Sequence, residues 1–168
     1  MKNNLLNILL RAENQKFKAS FVQDNYCFVV PNSAIIAVKK DNLLVKKLKT
    51  KETSFLQDQE NFHFMWFSIF AQEIKKTSKA ERIETKTFIP RLKELIEFDN
   101  EEEKFSVFYG ETFMNRHAFY KRDVRIIIEI AEATKAKAIL LRRERRRNLA
   151  YILSFEGETE VHLLIKKA

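Results

Sequence analysis

Apolar and polar positions follow two different periods along this chain, and the C-terminal third shows both of them most clearly. From residue 122 to 134, apolar side chains recur at helical spacing and charged side chains fall on the opposite side. The positions predicted to face the core are Val124, Ile127, Ile128 and Ala131. Three short apolar runs follow, over residues 136–141, 149–155 and 161–165. This order predicts a helix followed by a three-stranded antiparallel meander.

The first third of the chain repeats the same order. Residues 4–13 form an amphipathic pattern with Leu5, Ile8 and Leu9 on one side, which predicts a helix that packs inward. Strands are predicted over residues 17–23, 26–30 and 34–38, with residues 24–25 as a turn, and residues 43–48 are expected to pair back. The pattern therefore predicts an α+β fold built from helix-plus-antiparallel-meander units.

The middle of the chain is less regular. Residues 62–70 are apolar on both faces of a pleat, which favours a strand buried on both sides, with a buried helix as the alternative. Pro90 fits the first turn of a later helix, and residues 104–109 predict another strand. A length of 168 residues suits one domain, which can be divided into sub-units 1–50 and 85–168 joined by the irregular middle.

Composition excludes several classes of protein. Two glycines cannot build a glycine-rich phosphate loop, and Cys27 alone cannot form an internal disulfide. A single cysteine fits a reducing compartment, so we expect a cytoplasmic protein. The longest apolar run is too short for a bilayer, and we expect no membrane association.

The sequence contains no recognisable catalytic signature, and we expect neither a cofactor nor a metal. His63, His117 and His162 are widely separated and have no ligands at metal-binding spacing. The acidic run over residues 99–103 is interpreted as a solvated turn, because consecutive acids in a loop seldom converge on one ion.

Charge suggests the partner. The chain has 31 Lys and Arg against 23 acids, a formal charge of +8 that attracts polyanions. Five arginines lie between two predicted strands, and on a hairpin tip they could make bidentate phosphate contacts; the alternative is a solvated loop that prevents edge pairing. Lysines near the first strands form a second basic cluster. The candidate nucleic-acid-binding residues are Arg142, Arg143, Arg145, Arg146, Arg147, Lys39, Lys40, Lys46 and Lys47.

The C-terminal half resembles the DNA sliding clamps, the processivity factors of DNA polymerases. The residues that carry the resemblance are Phe113-Met114-Asn115, Phe119-Tyr120, the helix over 123–134, the apolar strand over 161–165, and Phe88-Ile89-Pro90 upstream. The resemblance implies a non-enzymatic accessory protein of clamp-like architecture that contacts DNA or a replication protein.

Two alternatives stay open. The first is a basic nucleic-acid-binding module of unrelated fold that uses the arginine hairpin and shows one basic face. The second is a small enzyme whose site assembles in a deep pocket from dispersed residues such as Cys27, His117 and Glu129. The clamp-like interpretation predicts repeated helix-plus-meander units. The sequence does not decide the oligomeric state, the kind of partner, or whether the two basic clusters share a surface.

Overall fold

The computed structural model describes residues 4–13, 20–23, 25–29, 34–39, 41–47, 51–52, 62–75, 80–98, 104–108, 116–143 and 150–166. The helices are α1 (Asn4–Glu13), α2 (Phe62–Lys75), α3 (Thr85–Phe98) and α4 (Lys121–Thr134), with a 3-10 helix at Leu43–Lys47. The strands are β1 (Ser20–Gln23), β2 (Tyr26–Val29), β3 (Ile35–Lys39), β4 (Lys51–Glu52), β5 (Glu81–Glu84), β6 (Lys104–Phe108), β7 (Arg116–Tyr120), β8 (Ala138–Arg143), β9 (Ala150–Glu156) and β10 (Val161–Lys166).

Eight of these strands form one sheet in the order β4-β1-β2-β3-β10-β9-β8-β5, and β6 pairs with β7 separately. Neighbouring strands are antiparallel except for the short parallel pair of β1 and β4. The predicted meanders β1–β3 and β8–β10 meet where β3 pairs with β10, with Ile35 opposite Leu164. The α+β prediction is confirmed, and both predicted sub-units contribute strands to the same sheet.

The helix-plus-meander order occurs twice, as α1 before β1–β3 and as α4 before β8–β10. Helices α1 and α4 contact each other, and α3 packs beside α4. Their apolar side chains share one core cluster with strand residues such as Ile36, Leu153 and Leu163, which defines the helix face of the sheet. On the second face, Phe70 and Ala71 of α2 pack with a separate cluster that includes Phe28. Because both faces are covered, strands β2, β9 and β10 are buried at nearly every position.

The inward side of α4 differs from the prediction by part of a turn. Val124, Ile127 and Ala131 are buried as expected, but Ile128 is only half-buried and Ile130 is fully buried in its place. The reason is that α4 contacts α1 and α3 as well as the sheet, so its buried stripe is wider than the spacing of aliphatic residues indicated. Helix α1 packs inward as predicted, with Leu5, Leu6, Ile8 and Leu9 buried.

The prediction of a strand over residues 62–70 is wrong, because this segment forms the first part of α2. A run that is apolar at almost every position fits a buried helix as well as a buried strand, and only the length of the element separates them. Here the helix continues through Gln72 and Lys75, which are exposed, while Phe70 and Ala71 are buried against the sheet.

Two smaller predictions are also corrected. Residues 43–47 form a 3-10 helix instead of pairing back as a strand. Pro90 lies inside α3 and not in its first turn, because the helix begins at Thr85. The Thr85 hydroxyl donates to the carbonyl oxygens of Ala136 (2.6 Å) and Lys137 (2.9 Å), so a contact distant in sequence sets the start of the helix.

The turn between β9 and β10 packs against the C-terminal end of α4. Lys135 has a left-handed backbone (φ 52°) and ends the helix, with the Ala136 amide bonded to the Ala131 carbonyl. The Glu158 amide donates to the Thr134 carbonyl at 2.8 Å. A Cβ on Gly157 would lie 2.9 Å from the Thr134 side chain and closer still to its carbonyl oxygen, so the close approach requires glycine. In the described part of the chain, no helix has the length and apolar character needed to cross a membrane.

Candidate functional site

The arginine tract, residues 142–147, begins inside the sheet and not on a hairpin tip. Arg142 and Arg143 are the last residues of β8, opposite Ile152 and Tyr151 of β9. Because successive side chains of a strand point to opposite faces, the two arginines leave the sheet on different sides. The expected position on the tip is therefore wrong for both of them. Arg145, Arg146 and Arg147 lie outside the described residues.

Arg142 joins α2 to the second face of the sheet through hydrogen bonds. Its Nη1 donates to the Glu73 carbonyl at 2.9 Å, and its Nη2 donates to the Ser154 hydroxyl at 3.0 Å. Glu73 is in the last turn of α2, where carbonyl groups have no partner within the helix and a cation interacts favourably with the helix dipole. Burial lowers the pKa of Arg142, against the opposing charges of Glu73 and Tyr26. A role for Arg142 in nucleic-acid binding stays a prediction.

A chain of hydrogen bonds runs across the second face from Arg142 to Lys39. Ser154 Oγ lies 2.7 Å from His162 Nδ1, and His162 Nε2 lies 3.1 Å from Glu160 Oε1. Glu160 Oε2 then pairs with Lys39 Nζ at 3.0 Å. Ser154 and His162 are each only 6% exposed, so the centre of the chain is buried. The sequence shows only that His162 has no ligands at metal-binding spacing, and it gives no signal for Ser154.

The environment of this chain shifts the pKa values of its members. Burial lowers the pKa of His162, although Glu160 acts in the opposite direction. For Glu160, burial acts to raise the pKa, but hydrogen bonds from Lys39 and His162 outweigh it and the pKa is lowered. The hydrogen bond to Glu160 raises the pKa of Lys39. The arrangement therefore favours a neutral imidazole, an ionised carboxylate and a charged lysine.

Lys39 of the lysine cluster and the first two arginines of the tract lie at opposite ends of the sheet strands. Lys39 is the last residue of β3. The residue before it, Val38, pairs with Val161, the first residue of β10. The chain continues to the 3-10 helix, where Lys46 is exposed. By contrast, Arg143 pairs with Tyr151 near the start of β9, beside the end of β10. The side chains of Lys39 and Arg142 thus lie on the same face of the sheet but at opposite ends of its strands. Lys40 and the side chain of Lys47 lie outside the described residues.

Further basic residues surround the end of the sheet from which the arginine tract departs. Lys166 of β10 pairs with Ala150 of β9, and the next residue of β9, Tyr151, pairs with Arg143. The charge of Lys166 acts on Asp123 in the first turn of α4, so α4 also begins at this end. The Arg122 guanidinium lies 4.8 Å above the Tyr120 ring, within cation–π range. We call this group of basic residues the cationic end: Lys121, Arg122, Arg125, Arg143 and Lys166.

Asp123 is buried beneath the cationic end. The residue is 1% exposed, and neither carboxylate oxygen has a hydrogen-bond partner among the described residues. Burial raises the pKa of Asp123 to about 6, although Arg122 and Lys166 act in the opposite direction. Its carboxyl group is therefore easier to protonate than an ordinary aspartate. The helical pattern had placed residue 123 within α4 but had not marked it as buried.

Three ion pairs lie at the opposite end of the sheet, beside the turn between β9 and β10. Lys135 lies 3.7 Å from Glu158, and Arg82 lies 3.4 Å from Glu156. Lys39 pairs with Glu160 at the same end. Basic and acidic side chains are thus matched at the end that carries the turn between β9 and β10.

Residues of the dispersed enzyme hypothesis do not form a described site. Cys27 is fully buried in the core on the helix face, and Glu129 lies on α4. The side chain of His117 and the acidic run over residues 99–103 lie outside the described residues. Within the described ranges, no three His, Cys, Asp or Glu side chains are arranged to hold a metal ion. Comparison with known proteins finds no matching family model, curated protein or solved structure.

Proposed function

We propose that this protein is a non-enzymatic, DNA-associated accessory protein of clamp-like architecture that binds nucleic acid through its cationic end. The observation that carries the proposal is that basic residues from three elements lie at the same end of the sheet. Helix α4 contributes Arg122 and Arg125, β8 contributes Arg143, and β10 contributes Lys166. Arg145, Arg146 and Arg147 follow Arg143 in the sequence after a single acidic residue, Glu144.

This arrangement suits a phosphate backbone better than a small anion. Binding several phosphates releases condensed counterions, so a cluster of basic residues contributes affinity without reading base sequence. Arginines add planar, bidentate contacts to phosphate oxygens. Side chains from a helix and two strands have fixed relative positions, which lowers the ordering cost of binding. The expected ligand is therefore single-stranded or duplex nucleic acid, bound with little sequence preference.

The repeated helix-plus-meander unit supports the clamp-like part of the proposal, since α1 and α4 pack on one face of a continuous sheet. The outer surfaces of the helices are less suited to phosphates, because Lys93 of α3 pairs with Glu132 of α4. We therefore assign nucleic acid to the cationic end and not to the helix face. A module of unrelated fold would use the same basic residues.

The test is a titration of fluorescein-labelled oligonucleotides, single-stranded and duplex, by fluorescence anisotropy over a range of salt concentrations. The first variant, R122Q/R143Q/K166Q, removes three charges from the cationic end. The second, R145S/R146S/R147S, removes three from the arginine tract. The control, K86Q/K135Q/K137Q, removes the same charge from exposed lysines at the opposite end. Each lost phosphate contact should flatten the log–log salt slope by about 0.7–0.9.

Both test variants should bind more weakly than the parent and with a shallower slope, while the control keeps most of the parental affinity. The first variant and the control change exposed residues, so their stability should stay within about 0.5 kcal/mol of the parent, which urea unfolding checks. Equal weakening by all three variants would mean that net charge alone attracts the ligand. No binding by the parent at low salt would end the nucleic-acid proposal and favour a protein partner.

A further inference from the structure

The hydrogen bonds around Ser154 determine where the proton of His162 resides. Arg142 donates to Ser154 Oγ, so the hydroxyl hydrogen is available for His162 Nδ1. With His162 Nδ1 as the acceptor of that hydrogen, Nε2 carries the hydrogen that faces Glu160. All three bonds are satisfied by the neutral imidazole in a single tautomer.

A second proton on His162 would disturb this arrangement. Nδ1 would become a donor directed at Ser154 Oγ, and the serine hydrogen would lose its acceptor. The imidazolium and the Arg142 guanidinium would also contact the same oxygen atom, which brings two cations together in a buried region. Moving Arg142 away relieves both effects. That movement also breaks its bond to the Glu73 carbonyl in the last turn of α2.

We propose that α2 is held on the sheet by a proton-sensitive latch, in which protonation of His162 frees Arg142 and releases the C-terminal turn of α2. The latch consists of Glu73, Arg142, Ser154 and His162, with Glu160 on the outer side of the histidine. Phe70 packs against Phe28 at a ring distance of 5.7 Å, so the preceding turn of α2 keeps its own contact with the sheet. The released segment is therefore the last turn and not the whole helix.

Some charged and titratable groups around His162 raise its pKa and others lower it. They come from β2, β3, β8, the turn before β10 and α2, and they are Tyr26, Lys39, Arg142, Glu160 and Glu73. Burial, Arg142 and Lys39 oppose the imidazolium, whereas Glu160 favours it. The closed state therefore binds the proton less readily than a solvated histidine with a pKa of 6.5. Release is thus favoured as the pH falls below this value.

Hydrogen exchange measured by mass spectrometry tests the latch in the full chain. The readout is the protection of a peptide over residues 70–75, compared at each pH with the H162N variant, so that the intrinsic pH dependence of exchange cancels. Asn can accept the Ser154 hydrogen bond but does not titrate in this range. In the parent, opening of the last turn should rise by up to about tenfold per pH unit below the solvated pKa. H162N should show no such rise.

Two further variants separate the latch from general acid unfolding. E160Q removes the carboxylate that favours the imidazolium in the closed state, so the closed-state pKa of His162 falls further and opening at acidic pH should exceed that of the parent. H117N, on β7, should keep the parental profile. Peptides from β9 should stay protected in every variant while the last turn opens. Opening that persists unchanged in H162N, or acid opening that is smaller in E160Q than in the parent, would overturn the proposal. So would a flat parental profile. If H162N fails to fold, the extent of opening in E160Q decides.

Discussion

Replacing Asp123 with asparagine should stabilise the protein at neutral pH. Asp123 is buried in the first turn of α4, and both of its oxygens lack hydrogen-bond partners among the described residues. A carboxylate in this environment loses hydration that neighbouring charges only partly replace. Asparagine has nearly the same shape and resembles the protonated acid. D123N therefore removes the charge without opening a cavity.

The direction and size of the effect follow from the pKa of Asp123, which rises from 3.8 to about 6 on folding. The folded state binds the proton of Asp123 more tightly than the unfolded state does. The contribution of Asp123 to stability is therefore fully present below pH 3.8 and is lost as the pH rises through about 6. At 1.36 kcal/mol per pKa unit, the loss above this range is on the order of 3 kcal/mol. D123N should recover about 1–3 kcal/mol at about pH 8, since the amide needs hydrogen bonds of its own.

Urea unfolding followed by circular dichroism, repeated from about pH 4 to about pH 8, measures this difference. The stability advantage of D123N should be small in acid and should grow as the pH rises through 6. Glu97→Gln, which changes an exposed acid on α3, should show no comparable growth. A D123N protein that is less stable than the parent at high pH would mean that the carboxylate stabilises α4. A difference independent of pH would also refute the reasoning.

Two further substitutions test the packing of α4. Ile127→Ala should cost about 2–4 kcal/mol in urea unfolding, because Ile127 is fully buried; Ile128→Ala should cost clearly less, because Ile128 is half-buried. Equal losses would show that the buried side of α4 is assigned incorrectly. Gly157→Ala should cost about 1–3 kcal/mol, because its Cβ would overlap Thr134, whereas the exposed Glu158→Ala should stay within about 0.5 kcal/mol. A parental unfolding midpoint for Gly157→Ala would show that the turn can move away from α4.

The sequence by itself determined the parts of the fold whose pattern has a single solution. The helical spacing of residues 122–134 permits one amphipathic helix, and α4 spans Lys121–Thr134. Short apolar runs separated by polar turns specify antiparallel meanders, and β1–β3 and β8–β10 form them. Tyr151 and Leu153 are buried on the helix face, as the period of two predicts.

Only the tertiary structure decided those features that depend on the packing partners of a residue. The run over 62–70 is apolar at almost every position, so its sequence does not distinguish a helix from a strand. In the structure it is the first part of α2, which packs on the second face of the sheet. Ile130 is buried in preference to Ile128 because α4 has neighbours on both flanks.

The candidate site depends on tertiary structure in the same way. Sequence composition indicated an excess of basic charge, but strand pairing put Arg143 and Lys166 at one end of the sheet and Lys39 at the other. The same pairing put Arg142 where its guanidinium donates to a carbonyl oxygen in the last turn of α2. Neighbours in space, and not neighbours in sequence, set the charge and hydrogen bonding of each side chain, because electrostatic and hydrogen-bond energies depend on distance and burial.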